Sequence, residues 1–125
     1  MFNSAMQAYE TGGKATASTR DLEAAALFKA ARLLESCRMN LESADWKTRM
    51  AQALQYNQRL WTFFQAELAE PEHPLEPRLR ADLLQLSSFV DRRTFELMAD
   101  PDPAGLQVLI EIDRSIAAGL SARTG

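Results

Sequence analysis

Residues 46–68 read WKTRMAQALQYNQRLWTFFQAEL. At roughly 100° per residue, Trp46, Met50, Ala53, Leu54, Leu60, Trp61, Phe64 and Leu68 fall within an arc of about 120°. An apolar stripe sustained that long marks an amphipathic helix facing a core. Ser43 or Asp45 can start it, and Pro71 and Pro74 in EPEHPLEP stop it near Ala69.

The same periodicity extends in both directions. Upstream, Ser18 and Asp21 have the spacing of a capping box, which predicts a first helix from about Thr19 to Leu41. Residues 1–18 read as a loosely ordered lead-in, with a two-turn helix around Ser4 to Glu10 before the Gly12-Gly13 break. Downstream, Pro77 suits a first helical turn, and Leu79, Leu83, Leu86, Val90 and Leu97 form the inner stripe of a helix ending at Ala99. Asp102 can cap a last helix with Pro103 in its first turn; Leu106, Leu109, Ile110, Ile116, Ala117 and Leu120 line it, and Gly119 is an end signal. There is no internal repeat. The expectation is all-α: one domain over residues 1–125, a compact bundle of about four amphipathic helices.

Composition agrees. Among 125 residues there are 20 Ala and 17 Leu against two Val and three Ile, a bias toward helix formers and away from strand formers. Charge-free runs reach only nine residues, as in Met1 to Tyr9, whereas a membrane span needs about 20 apolar residues. Cys37 is the only cysteine, so no internal disulfide can form, and a soluble cytoplasmic protein is expected. A formal charge of -3 lacks the basic footprint of phosphate binding and disfavours nucleic acid as a partner.

Some apolar residues lie outside the inner stripes. Tyr56 and Phe63 sit about 80 to 100° from the centre of theirs and on the same side. Leu84 and Phe95, and likewise Phe28 and Met39, are off-stripe and close to each other in angle. Either the N-terminal segment and neighbouring helices cover these second faces, or they form a groove for a partner helix. On the second reading, Phe28, Tyr56, Phe63, Leu84, Arg92 and Phe95 are the candidate partner contacts. Conversely, Asn57 and Asp113 lie near the middle of their stripes and Arg93 at the edge of its own. Buried polar groups need partners, and Arg93 with Asp113 is the expected pair.

Catalytic signatures are missing from the pattern. His73, the only histidine, lies between prolines and reads as surface loop; Glu70 and His73 form a single E-x-x-H, whereas a di-metal bundle needs two. Cys37, with Leu33, Leu34 and Leu41 around it on the helix, reads as core rather than nucleophile. Gly12-Gly13 lacks the spacing and lysine of a phosphate loop. The arginines at 78, 80, 92 and 93 are offset by Glu76, Asp82, Asp91 and Glu96. No enzyme, metal or cofactor is expected.

Three blocks together carry a resemblance: TASTRDLEAAALFKAARLLES at 16–36, YNQRLWTFFQAELAEPEHPL at 56–75 and LSSFVDRRTFELMADPDPAGLQVLIEIDRSIAAGL at 86–120. They resemble the flagellar biosynthesis regulator FlaF family from about Ala8 to Leu120. Asp113 departs from the family pattern, which more often has Asn there, so the Arg93 partnership is particular to this chain. Thr19 departs where a proline often follows the capping Ser. The resemblance implies a bacterial cytoplasmic protein required for flagellin production, opposing or cooperating with the translation regulator FlbT. It also implies a chaperone-like module that binds flagellin and couples its synthesis to export. Surplus apolar faces would suit sequestration of flagellin's aggregation-prone terminal helices. The alternative is a post-transcriptional regulator acting on flagellin mRNA, with Arg92 and Arg93 as phosphate contacts, or acting only through FlbT.

Overall fold

The computed structural model describes residues 13–121, with side chains from Thr19 onward. They form four helices, α1 (Gly13–Met39), α2 (Trp46–Ala69), α3 (Pro77–Ala99) and α4 (Leu106–Ser121), with a 3-10 turn at Pro103–Gly105 leading into α4. Among the described residues there is no strand, and the fold is an all-α bundle.

The helix ends follow local chemistry. Glu76 accepts a hydrogen bond from the Leu79 amide at 3.0 Å, with Pro77 in the first turn where its missing N–H costs nothing. Asp102 accepts from the Ala104 amide at 3.1 Å, but Pro103 starts the 3-10 turn rather than α4 itself. The Asn40 side chain donates to the Ser36 carbonyl at 2.6 Å, closing α1 at Met39, two residues before the expected Leu41. α1 also starts earlier than the capping-box spacing predicts. Residues 13–18 are already helical, so Ser18 and Asp21 lie within the helix instead of capping it. That segment holds no proline, and a helix anchored by packing propagates through residues of modest propensity. The expected two-turn helix around Ser4 to Glu10 lies outside the described residues. At the other end, Gly119 does not terminate α4, because its φ is not positive and the helix continues to Ser121.

α1 and α4 share the most extensive interface, α2 packs on α1, and α3 packs on α2. Ala24, Ala30 and Ala31 on α1 and Ala117 on α4 are buried; such small side chains let helix axes approach closely. Leu27, Leu34, Met50, Leu54, Trp61, Val90, Leu106, Leu109 and Ile110 complete the centre of the core. α3 is held to α2 by Gln65, whose side-chain amide donates to Asp91 Oδ2 at 2.7 Å and to the Ser87 carbonyl at 3.4 Å.

Burial along α3 falls steadily from its C-terminus to its N-terminus. Leu97 and Val90 are buried, Leu86 and Leu83 half-buried, and Leu79 is 46% exposed, which corrects its expected place in the inner stripe. α3 therefore meets the rest of the bundle where it turns into α4 and diverges toward its start. The same face is completed by Ser87 and Thr94, buried hydroxyls satisfied by the carbonyls of Leu84 at 2.8 Å and Val90 at 2.7 Å.

The turn between α3 and α4 depends on Gly105, where an added Cβ would stand 2.7 Å from Leu97 Cδ2, a side chain itself buried. Gly105→Ala is expected to lose about 1–3 kcal/mol by overpacking. A Cβ at Gly119 meets nothing within 4 Å, so Gly119→Ala should gain roughly 0.5–1 kcal/mol from helix propensity. Urea denaturation of the two variants checks the opposite signs.

Candidate functional site

Asn57 and Trp61 are one turn apart on α2, and both point at Asp113 on α4. The Trp61 indole N–H donates to Asp113 Oδ1 at 2.9 Å. With its amide nitrogen turned toward the carboxylate, Asn57 donates to Oδ2 at 2.6 Å and to Oδ1 at 3.3 Å. Asn57 and Asp113 are wholly buried and Trp61 is 2% exposed. Both partners of the carboxylate are neutral, so nothing repays the loss of water around its charge. Burial pushes the Asp113 carboxyl up from 3.8 to about 7, and the Trp61 hydrogen bond opposes only part of that rise.

The expected Arg93–Asp113 pair is not formed. Arg93 pairs instead with Glu96 at 3.4 Å and stacks over the Phe89 ring at 5.4 Å. The reason is topological: α3 packs on α2 and has little contact with α4, so a residue at the edge of the α3 stripe does not reach the α4 core position. Asn57 and Asp113, both expected to find partners across the bundle, satisfy each other.

Where α3 diverges from α4, a groove of about 390 Å³ opens at the end of the bundle. α2 contributes Trp61, Phe64 and Leu68, α3 contributes Leu83, α4 contributes Ile116 and Leu120, and the connecting corner contributes His73, Pro74 and Leu75. Thr19, Arg20 and Glu23 of α1 and Glu67 of α2 add the polar lining. Phe64 meets Trp61 edge to face, with ring centroids 5.7 Å apart, and the Phe63 ring is tilted against Phe64, also at 5.7 Å. One ring links the two features: the Trp61 indole walls the groove while its N–H is fixed by Asp113. The corner is held in place by Arg80, which donates to the Glu70 carbonyl at 3.0 Å, and by His73 Nδ1, which accepts from the Leu75 amide at 3.2 Å.

The candidate partner contacts read from the sequence do not converge on this groove. Tyr56 is half-buried beneath Lys29 of α1, whose Nζ is 5.2 Å from its ring centroid. Phe63, seven residues on, shares that flank of α2, whereas Gln65 marks the opposite flank facing α3. Leu84 is half-buried on α3, seven residues before the Asp91 that binds Gln65. Phe95 is 64% exposed, Phe28 and Arg92 are exposed, and Met39 is exposed at the far end of α1. The groove residues Leu83, Ile116 and Leu120 were indistinguishable from core by periodicity, because an inner stripe looks the same whether or not a neighbour covers it. Leu75, a lone apolar residue in a polar proline corner, was the available signal. His73, expected on a surface loop, is half-buried in the groove lining.

Among the described residues no three His, Cys, Asp or Glu side chains cluster to hold a metal ion, and no helix is long and apolar enough to cross a membrane. Cys37 is buried, and desolvation raises its thiol pKa against a weaker pull from Arg49.

The polar node predicts a pH dependence. Between pH 4 and 7 the folded chain keeps a proton on Asp113 that the unfolded chain has released, so stability declines as pH rises through about 7 and levels off above it. The loss is on the order of a few kcal/mol. Asp113→Asn preserves the acceptor for Trp61 without a charge to desolvate. Its melting temperature should exceed the parent's at pH 8 and approach it at pH 5; parallel profiles would exclude the assignment. Trp61→Ala removes both the wall and the donor, and should lose about 3–5 kcal/mol in the same assay.

Comparison with curated proteins and with solved structures finds no match. A protein-family model does match: that of the flagellar protein FlaF, over residues 5–120. The match spans all four helices, the groove and the Trp61–Asn57–Asp113 node, and the chain belongs to the FlaF family, with a role in flagellar biosynthesis.

Proposed function

We propose that this FlaF-family chain is a non-enzymatic, cytoplasmic binding module that holds flagellin, in the manner of a chaperone, and thereby promotes flagellin synthesis and export. The observation that carries the reading is the apolar groove between the diverging ends of α3 and α4, walled by Trp61, Phe64, Leu68, Leu83, Ile116 and Leu120. A groove between helices suits an amphipathic partner helix presenting apolar residues at i, i+3 or i+4 and i+7. Seating such a helix would complete the interface that α3 and α4 leave open, and would remove from water the apolar surface that makes an unassembled helical subunit prone to aggregate. The mixed charges of Arg20, Glu23 and Glu67 in the lining favour no highly charged partner.

Direct recognition of mRNA draws less support. Of the four arginines on α3, Arg80 is engaged with backbone carbonyls of the corner and Arg93 with Glu96 and Phe89. A converging set of cations, which phosphate binding requires, is not assembled there.

Calorimetric titration of purified protein with monomeric flagellin tests the proposal. Binding should be saturable, and Leu83→Glu should weaken it by about tenfold or more, since a buried charge at the centre of an apolar contact carries a penalty above ~1.4 kcal/mol. Phe95→Ala should leave it unchanged. No heat and no complex with the parent protein would overturn the proposal, and a loss confined to Phe95→Ala would move the contact to the outer face of α3.

A further inference from the structure

The polar node and the groove are successive layers of the same two helices. On α2, Asn57 and Trp61 lead by helical steps of three or four to Phe64 and Leu68; on α4, Asp113 leads likewise to Ile116 and Leu120. The Trp61 indole stands between the layers, lining the groove while its N–H donates to Asp113 Oδ1 at 2.9 Å. Asn57 can follow a proton. With its nitrogen toward Asp113 it donates to Oδ2 at 2.6 Å; turned over, its oxygen takes that place and accepts from a protonated carboxyl. Either state is hydrogen-bonded without moving a helix. The other elements face Asp113 differently. α1 packs its buried Ala24, Leu27 and Ala31 into the same core, and the α4 neighbours Glu111 and Arg114 are exposed. On α3, Arg93 is engaged with Glu96 and Phe89. Beyond the indole, the groove carries Arg20 and Glu23 from α1, Glu67 from α2 and His73 from the corner. Among the described residues, burial moves the Asp113 titration upward and the Trp61 hydrogen bond opposes it.

We infer that Asp113 is the positioning residue of the groove wall and that its proton is linked to occupancy: an apolar group seated against Trp61 favours the protonated carboxyl. Water in the open groove lies one indole away from the carboxylate and helps to stabilise its charge. A seated apolar group displaces that water, and the charged form loses stabilisation that the neutral form does not need. Linkage makes the effect reciprocal: whatever raises the Asp113 pKa on binding makes the protonated protein bind tighter by the same factor. The carboxyl of the open protein titrates at about 7. Affinity therefore declines as pH rises through 7 and levels off above the pKa of the occupied form. The inference rests on the reading of the groove as a binding seat, and not on flagellin as its occupant. With flagellin in the seat, a lower pH tightens the hold on the subunit and a higher pH loosens it.

Titration of the full chain with Nile red, an uncharged dye that brightens in apolar surroundings, tests the linkage without any protein partner. Leu83→Glu should weaken dye binding at a fixed pH, which locates the dye in the groove. The dissociation constant of the parent should rise about three- to tenfold from pH 5.5 to pH 8.5, equivalent to an Asp113 pKa raised by about half to one unit on occupancy. The carboxyl carbon signal of Asp113 should show the same upward move of its midpoint when dye is bound. Asp113→Asn keeps an acceptor for Trp61 and should bind with one affinity at all pH values, whereas a purely structural role would change the affinity and leave the slope. Of the residue types in the lining, only the imidazole ordinarily titrates in this range. His73→Asn, which keeps an acceptor for the Leu75 amide, should therefore retain the slope. A flat parent profile, or a slope that survives Asp113→Asn, overturns the inference. So does a slope lost in His73→Asn, which assigns it to the imidazole. Dye that fails to bind, or binds equally to Leu83→Glu, overturns the inference together with the groove as a seat. Flagellin is absent throughout, so seating without a pH slope sinks the linkage alone and leaves the binding proposal standing.

Discussion

A hydrogen bond from the Trp61 indole to Asp113 joins α2 to α4 across 52 residues of chain, and much of the architecture follows from it. The backbones of these two helices approach each other little, since α4 packs chiefly on α1 and α2 lies between α1 and α3. A polar link at the centre therefore sets their relative register where apolar packing alone is permissive. Asn57 completes it. An amide can donate to a carboxylate or accept from a carboxyl, so Asn57 can satisfy Asp113 in either protonation state by turning its side chain. This versatility suits a carboxyl whose burial raises its pKa to about 7. No cation compensates the carboxylate form, so the same burial that places the node at the centre of the core favours the protonated carboxyl.

The indole held by this node is also the inner wall of the groove. Fixing the ring at its N–H orients its face, against which Phe64 packs edge to face at 85°. The other wall arises from a different cause. α3 is anchored at its C-terminal end by Val90, Leu97 and the close approach of Gly105, and along its side by Gln65. Toward Pro77 its apolar residues lose cover, and there Arg80 ties it to the proline corner through the Glu70 carbonyl. The groove is thus the space left by a bundle that closes at one end and not at the other.

Much of the bundle was legible in one dimension. The stripe in α2 predicts Met50, Ala53, Leu54, Leu60, Trp61 and Leu68 as buried, and they are. Pro77 with Glu76 and Pro103 with Asp102 mark helix starts because their chemistry is local: a fixed φ and a side-chain acceptor within three residues. Where several local signals compete, reading fails. Ser18 and Asp21 have capping-box spacing, yet the helix passes through them because tertiary packing of α1 outweighs a cap. Gly119 fails as a stop because it keeps helical dihedrals instead of the positive φ of a C-cap glycine.

What the sequence by itself determined is the set of helices, the face each turns inward, the burial of Asn57 and Asp113, and, through its extended blocks, the family. These depend on periodicity and on groups within a few residues of each other. Only the tertiary structure decided which helix each face meets. It paired Asp113 with Asn57 and Trp61 rather than Arg93, set Tyr56 and Phe63 on the opposite flank of α2 from the one that faces α3, and left Leu83, Ile116 and Leu120 lining a groove instead of closing a core. Side-chain periodicity specifies a direction in the frame of one helix, whereas a partner or a groove depends on the placement of two or more axes, which is set by packing between residues far apart in the chain.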